Sequence, residues 1–413
     1  MKGGKLGING LGRIGKLLIW QHVGRKTFSE IVINAGRPVG TSLEDVASFI
    51  EKDSSYGTMH NYLYGYTAGR LIENLDEKSG SMVIDGIPVT ILAKRNPKDV
   101  PWKSHGVDVV VEATGQFTDP TQPADVPKGS IRGHLAAGAR KVIVTAPFKI
   151  KDKSAPMPED AVTTVMGIND GDYDPAIHQI VSNASCTTNC LAYMMKPLLD
   201  YFGLERILTA SMATVHAVTG SQCVLDRIPK AGATDLRRNR SIFNNIILTT
   251  TGAAKALALV IPEMKKIGFV AESVRVPLST GSLIILTIDI QDAPGQDSIN
   301  RDLINQIYRA AAEKNKKGYV QYSEEQNVSS DMIGHPLAAA IIEGGETDTR
   351  TGTISFDLKQ LKGYSKEVED CLGSSVIDIS VTKAVVYGWY DNEMGGYVHM
   401  LADRVVSVAS MLD

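Results

Sequence analysis

Short apolar runs alternate with longer amphipathic stretches through the first third of the chain. Lys5–Asn9 and Glu30–Asn34 are brief runs built on Leu, Ile and Val, the pattern of strands buried inside a sheet. Residues 11–23 between them read as a helix. Similar Val- and Ile-rich runs follow at 107–112, 141–145 and 179–183. Residues 83–89 are broken by Asp85-Gly86, a pair that suits the tight primed turn of a hairpin. Strands separated by helices predict an α/β domain with a parallel, doubly wound sheet.

After residue 183 the texture changes. A helix is expected to follow Cys186. Longer strand-like runs then appear at 207–215, 273–277, 282–290 and 375–389. These predict a mixed sheet with helices on one side, an α+β domain. Residues 344–373 are polar, charged and glycine-rich, and read as a surface insertion rather than a linker. Residues 396–413 read as a helix, with apolar positions at Met400, Leu401, Val405, Val408 and Met411. The chain therefore divides into 1–182, 183–388 and a C-terminal segment, 389–413, expected to return to the first domain.

A length of 413 residues suits two cores better than one. The 43% hydrophobic and 22% charged fractions are those of a globular protein. A net charge of −3 gives no electrostatic reason to expect a nucleic acid or a membrane surface as partner. No apolar run is long enough to span a bilayer, and the N-terminus does not resemble a signal peptide. Cysteines stand at 186, 190, 223 and 371. Their spacing suits neither a disulfide framework nor a metal site, so reduced thiols, a cytoplasmic location and no bound metal are expected.

Two local patterns carry chemistry. Gly10-Leu11-Gly12-Arg13-Ile14-Gly15 follows a strand and opens a helix, the context that a dinucleotide-binding turn requires. Its glycines allow the tight turn, the approach of a pyrophosphate and close helix–strand packing. The stretch nearly spells a phosphate-binding loop of the triphosphatase kind. Leu17, where a Mg²⁺-holding Ser or Thr would be needed, excludes that reading. The carboxylate that usually meets the ribose hydroxyls of NAD is missing. The second strand ends in Asn34-Ala35-Gly36, followed by Arg37.

The second pattern is Ser182-Asn183-Ala184-Ser185-Cys186-Thr187-Thr188-Asn189-Cys190, running from a strand into a helix. Ser185 is a plausible N-cap. Cys186 would then lie in the first turn, where the positive end of the helix favours a thiolate and lowers its pKa. A lone cysteine is more often a small core residue, which is the better reading for Cys190. The polar setting of Cys186 argues for a nucleophile. His216 ends an apolar strand and is the candidate base for that thiol.

These residues closely resemble the glyceraldehyde-3-phosphate dehydrogenase family. Ser182–Cys190 matches its active-site signature, Thr214-Val215-His216-Ala217 its histidine motif and Asn9–Gly15 its cofactor turn. Residues 235–240 resemble the end of its S-loop. Thr249–Ala256 and Arg275-Val276-Pro277 match its phosphate-binding segments, and Trp389-Tyr390-Asp391-Asn392-Glu393 its C-terminal cofactor motif. The motifs occur in family order from residue 6 to about residue 398.

The resemblance implies a Rossmann-type domain followed by a catalytic domain. It also implies NAD or NADP as cofactor, a phosphorylated aldehyde and inorganic phosphate as substrates, and a cytoplasmic homotetramer. By correspondence, Cys186 attacks the aldehyde and His216 takes its proton. Thr219, Arg238 and Arg275, and Ser185, Thr187, Thr251 and Gly252, supply the two phosphate sites. Asn9, Gly10, Gly12, Arg13, Ile14, Gly15, Ala35, Arg37, Arg95, Thr114, Gly115, Thr145 and Asn392 line the cofactor path. Arg237 and Arg240 read equally well as a solvated charge run.

The chain also departs from the family pattern. Ala35 replaces the ribose carboxylate, Ser221 stands where an Asp is common, and Met394-Gly395-Gly396 replaces an aromatic. Extra residues occur near 60–70, 119–131, 227–234 and 344–373. Alternatives are an erythrose-4-phosphate dehydrogenase that hydrolyses the acyl enzyme, an aspartate-semialdehyde-type enzyme, and a non-catalytic relative that binds a partner through its inserted loops.

Overall fold

The structure is a computed structural model, and it describes residues 4–292 and 298–412. The first part contains β1 (Lys5–Asn9), α1 (Arg13–Arg25), β2 (Glu30–Asn34) and α2 (Leu43–Glu51). A small antiparallel pair follows, β3 (Lys52–Asp53) with β4 (Gly57–Thr58), and then α3 (Met59–Tyr64). Next come β5 (Ile72–Asp76), β6 (Ser81–Ile84), β7 (Ile87–Leu92), α4 (Trp102–His105), β8 (Val109–Glu112), α5 (Ile131–Ala136), β9 (Lys141–Val144), β10 (Ala161–Thr163) and β11 (Ile180–Ser182).

Nine of these strands form one sheet, in the order β10-β11-β9-β8-β1-β2-β7-β6-β5. The seven from β10 to β7 run parallel, and the β7-β6-β5 end is antiparallel. The expected hairpin is present at Asp85 (φ 49) and Gly86 (φ 77), both in the left-handed conformation of a primed turn.

The second part contains α6 (Cys186–Phe202), β12 (Ile207–His216), β13 (Ile247–Thr249), α7 (Ala253–Val260), β14 (Gly268–Arg275), β15 (Ser282–Gln291) and α8 (Arg301–Lys314). It continues with β16 (Val320–Ser323), β17 (Ala340–Glu343), β18 (Asp348–Asp357), α9 (Lys366–Leu372), β19 (Val376–Tyr390) and α10 (His399–Ser410). The mixed sheet has the order β13-β14-β12-β15-β19-β17-β16, with β18 paired to β19. The parallel pairs are β12 with β14 and β16 with β17.

One core lies between the mixed sheet and α6, α7 and α8. It gathers Leu191, Leu198, Leu257, Ile304, Ile284, Leu286 and Val386. The other surrounds the parallel sheet and takes in Leu401, Val405 and Val408 of α10 beside Leu17 and Val23 of α1.

Several elements differ from expectation for local reasons. Helix α1 starts at Arg13 because Gly10 (φ 109) and the N-cap Gly12 belong to the turn. Strand β14 begins at Gly268, its first half alternating between half-buried and exposed positions. Helix α10 begins at His399, after a wide π-turn over Met394–Val398; Asp413 lies outside the described residues. The 344–373 segment is more than a surface loop. Its strand β18 pairs along its whole length with β19, and α9 follows it.

Candidate active site

The carboxyl ends of the parallel strands are level. Asn9 pairs in register with both Asn34 and Glu112, and Val144 pairs with both Glu112 and Ser182. Residues that follow these ends therefore share one edge of the sheet, the crevice where α/β sheets bind ligands. Gly10 to Gly15, Ala35 to Arg37, Thr114-Gly115, Thr145 and the Cys186 turn all emerge there.

The glycine turn fits a pyrophosphate. A Cβ on Gly15 would stand 1.9 Å from the Gly10 carbonyl oxygen, so helix and turn close only on glycine. A Cβ on Gly12 would meet nothing within 4 Å, which leaves the backbone open to a ligand. Beneath the turn lies a buried polar network. Glu112 accepts from Asn9 Nδ2 (2.6 Å), from His134 Nε2 (3.0 Å) and from the Thr114 N–H (2.8 Å). Trp102 donates to His134 Nδ1, which fixes the tautomer that gives Nε2 its proton. Asn34 donates to Asn9 and bonds the Lys94 backbone in both directions.

Ala35 donates its N–H to the Leu92 carbonyl, Gly36 has φ 76, and Arg37 and Arg95 are exposed. The Arg13 side chain turns to Asp53 and Glu393 and ties α1 to the C-terminal motif. Asn392 Oδ1 accepts from Ser282 (3.0 Å), and Ser282 Oγ accepts in turn from the Ala217 N–H. That leaves the Asn392 amide N–H groups as donors toward a ligand.

Cys186 is the first residue of α6, and Ser185 caps the helix by accepting from the Thr188 N–H (3.1 Å). The preceding Ala184 is left-handed (φ 54). A non-glycine residue there costs on the order of 1–2 kcal/mol. Ala184 is held in place by Tyr397, which donates to its carbonyl, and by Ser182 Oγ, which accepts from its N–H.

Parallel pairing of β12 with β14 sets His216 beside Arg275. His216 Nε2 lies 3.4 Å from Cys186 Sγ. Its Nδ1 is 2.7 Å from the Ala217 carbonyl, and a proton on Nδ1 leaves Nε2 free to accept. Arg275 donates to the same carbonyl and lies against Nδ1. The buried Tyr390 hydroxyl joins Thr187 (3.0 Å) to Thr214 (2.8 Å), while its ring stands edge-on to His216.

Burial and the Arg275 charge lower His216 to about 3. Burial also pushes the Cys186 thiol above its ordinary value, against the pull of Arg275 and Thr187. The lowered thiol pKa expected from the helix start is thus outweighed by burial. Both shifts favour the uncharged pair, a thiol facing a neutral imidazole.

A cleft of about 460 Å³ opens over this pair. Its walls include Ser185, Cys186, Thr187, His216, Thr219, Thr251, Gly252 and Arg275. Eight expected residues are thus brought together. Arg238 is not among them: its half-exposed side chain is drawn to Asp235 in the 3-10 turn at Leu236–Asn239. Thr219 bonds Ser221 and Gln222, so a hydroxyl occupies the place where the family commonly has a carboxylate. Sequence reasoning missed Tyr390 as a ligand of the Thr187 hydroxyl, and the Glu112–His134 pair. It also missed the cleft residues Phe148, Lys149 and Thr163, which lie outside the family motifs, and gave no role of its own to Lys255, which lies within the Thr249–Ala256 segment. Among the described residues there is no His, Cys, Asp and Glu cluster able to hold a metal, and no helix long and apolar enough to cross a membrane.

The family model for the NAD binding domain of glyceraldehyde 3-phosphate dehydrogenase matches residues 4–120, and that for its C-terminal domain residues 185–359. The glyceraldehyde-3-phosphate dehydrogenase of Streptomyces coelicolor is 36% identical over 99% of both chains. The chain belongs to the glyceraldehyde-3-phosphate dehydrogenase family. The Geobacillus stearothermophilus enzyme is 35% identical over 98% of both chains, and glyceraldehyde-3-phosphate dehydrogenase 2 of Bacillus subtilis is 35% identical over 99% of this chain and 97% of its own. As a member of this family the chain is an oxidoreductase with a Rossmann-type dinucleotide-binding domain and a mixed-sheet domain.

Proposed function

We propose that the chain oxidises glyceraldehyde 3-phosphate to 1,3-bisphosphoglycerate, reversibly, through a thioacyl bond on Cys186. The observation that carries this reading is the 3.4 Å approach of His216 Nε2 to Cys186 Sγ, with Nδ1 tied to the Ala217 carbonyl. Sulfur attacks the aldehyde carbon, and its proton passes to Nε2. The resulting imidazolium faces the new oxyanion and stabilises it. The glycine turn and Asn392 would hold NAD or NADP, which would supply the hydride acceptor. Loss of hydride from the tetrahedral carbon leaves a thioester on Cys186. A phosphate oxygen then attacks that carbon, the C–S bond breaks, and the sulfur leaves as thiolate.

Arg275, Thr219, Ser185, Thr187 and the Thr251-Gly252 start of α7 line the cleft in which two phosphates must bind. An arginine fork and backbone N–H groups at a helix start both match phosphate oxygens. The open Ala35–Arg37 corner supports use of NADP as well as NAD. The exposed side chains of Leu225, Ile228, Phe243 and Ile246 support association into a homotetramer.

Turnover of glyceraldehyde 3-phosphate with and without phosphate tests the reading. Phosphate-dependent formation of an acyl phosphate is expected. Release of free acid at the same rate without phosphate would replace it with the hydrolytic, erythrose-4-phosphate type of enzyme.

A further inference from the structure

The cleft extends beyond Cys186 toward α7. Thr163 ends β10, the edge strand of the parallel sheet, and α7 packs against that strand. Pro147, Phe148 and Lys149 follow β9 and form a neighbouring wall, and Lys255, Ala256 and Leu259 of α7 complete this end. Three features distinguish it. Among the described residues no carboxylate lines the cleft, whereas Lys149, Lys255 and Arg275 do, which favours an anion there. The ammonium groups of Lys149 and Lys255 have no ion-pair partner among the described residues. Thr163 is 6% exposed, and its hydroxyl has no hydrogen-bond partner there. A buried hydroxyl without a partner destabilises a fold, so its place on the wall of a cationic cleft needs an explanation. Phe148 and Leu259 make this end partly apolar, which strengthens the attraction between the ammonium groups and an anion.

We propose that Lys149, Thr163 and Lys255 form an oxyanion subsite that extends the site of the attacking phosphate and sets the affinity for the acyl acceptor. The inference rests on the phosphorolytic reading above. It adds Lys149 and Lys255 as charge donors and the Thr163 hydroxyl as a hydrogen-bond donor, all lining the same cleft as Arg275. They act on the acceptor anion alone, so they change its affinity and not the attack of Cys186 on the aldehyde.

The test uses Lys149→Gln, Thr163→Val and the double variant of the full chain. Two measurements are made: KM for phosphate, and the rise in Tm that inorganic phosphate produces in the absence of other substrates. Each single variant should raise KM for phosphate at least fivefold more than it raises KM for the aldehyde, and the double variant at least twentyfold more. Thr163→Val should in addition leave Tm in phosphate-free buffer unchanged or higher, because it removes an unpaired buried hydroxyl, while reducing the phosphate-induced rise. That combination separates a ligand-binding hydroxyl from a structural one. Unchanged KM for phosphate together with an unchanged phosphate-induced rise in Tm would overturn the subsite. If the native enzyme releases free acid without phosphate, the phosphorolytic reading fails. The Tm measurement then still decides whether these residues bind the anion.

Discussion

An acidic side chain at position 35 should shift cofactor choice toward NAD. Strand β2 ends at Asn34, whose side chain is committed to Asn9 and the Lys94 backbone. The chain then leaves the sheet through Ala35, which can offer a ribose nothing but its backbone. Ala35→Asp would place a carboxylate where the ribose hydroxyls of a dinucleotide lie. Two effects then add. Hydrogen bonds from the hydroxyls to a charged group contribute about 1.5–3 kcal/mol in favour of NAD. A carboxylate 4 Å from a 2′-phosphate charge is repelled by about 1 kcal/mol in water-like surroundings and about 4 kcal/mol at an effective dielectric of about 20. Because Arg37 is exposed and Ala35 and Gly36 are only partly buried, the lower repulsion is the relevant one.

Each 1.4 kcal/mol is about tenfold. The variant should therefore move the ratio of kcat/KM for NAD over NADP upward by about 60- to 700-fold. The assay measures kcat/KM with both cofactors at saturating phosphate, in the native enzyme and the variant. The native enzyme should use NADP at least as well as NAD. A native preference for NAD above tenfold, or an unchanged ratio in the variant, would refute the reasoning.

Two further outcomes follow from the site and the core. His216→Asn should lower the rate of hydride transfer by roughly 10²–10⁴, the usual worth of a positioned base, with the cofactor dissociation constant unchanged by fluorescence titration; a loss under threefold would remove His216 from the base role. His22 is fully buried in α1 without hydrogen-bond partners, and burial holds it near 3, against about 6.5 when exposed. The unfolded chain therefore takes up the proton first. This contribution is complete above pH 6.5 and is lost as the pH falls toward 3, by on the order of 5 kcal/mol in total. His22→Leu should flatten the fall of Tm between pH 7 and 4.5, and an unchanged slope would contradict this assignment.

What the sequence revealed was local. The glycine turn, the Asp85-Gly86 hairpin and the Ser185 cap of α6 depend on neighbours within a few residues, so their patterns are readable. The constellation around Cys186 is set at long range. His216 and Arg275 are 59 positions apart in the chain and meet only through the β12–β14 register. Tyr390 reaches Thr187 and Thr214 only because β19 lies beside β15 in the sheet. Strand β18 was hidden for another reason. It is largely solvated, and Ile354 and Phe356 are the only large apolar residues among its ten, so no apolar stripe announces it. The role suggested for Arg238 came from motif correspondence alone, and correspondence could not foresee that its side chain lies 3.5 Å from Asp235. Helix position favoured a thiolate at Cys186, while burial, which no local pattern encodes, pushes the thiol the other way.

The central claim is a covalent bond to one sulfur, and it can be observed directly. The enzyme is mixed with glyceraldehyde 3-phosphate and its oxidised cofactor without phosphate, quenched in acid and digested, and the peptides are weighed. The account predicts a 3-phosphoglyceroyl adduct on the peptide containing Cys186, lost on addition of phosphate and absent from Cys186→Ala. An unmodified Cys186 during cofactor reduction, or full turnover by Cys186→Ala, would contradict it.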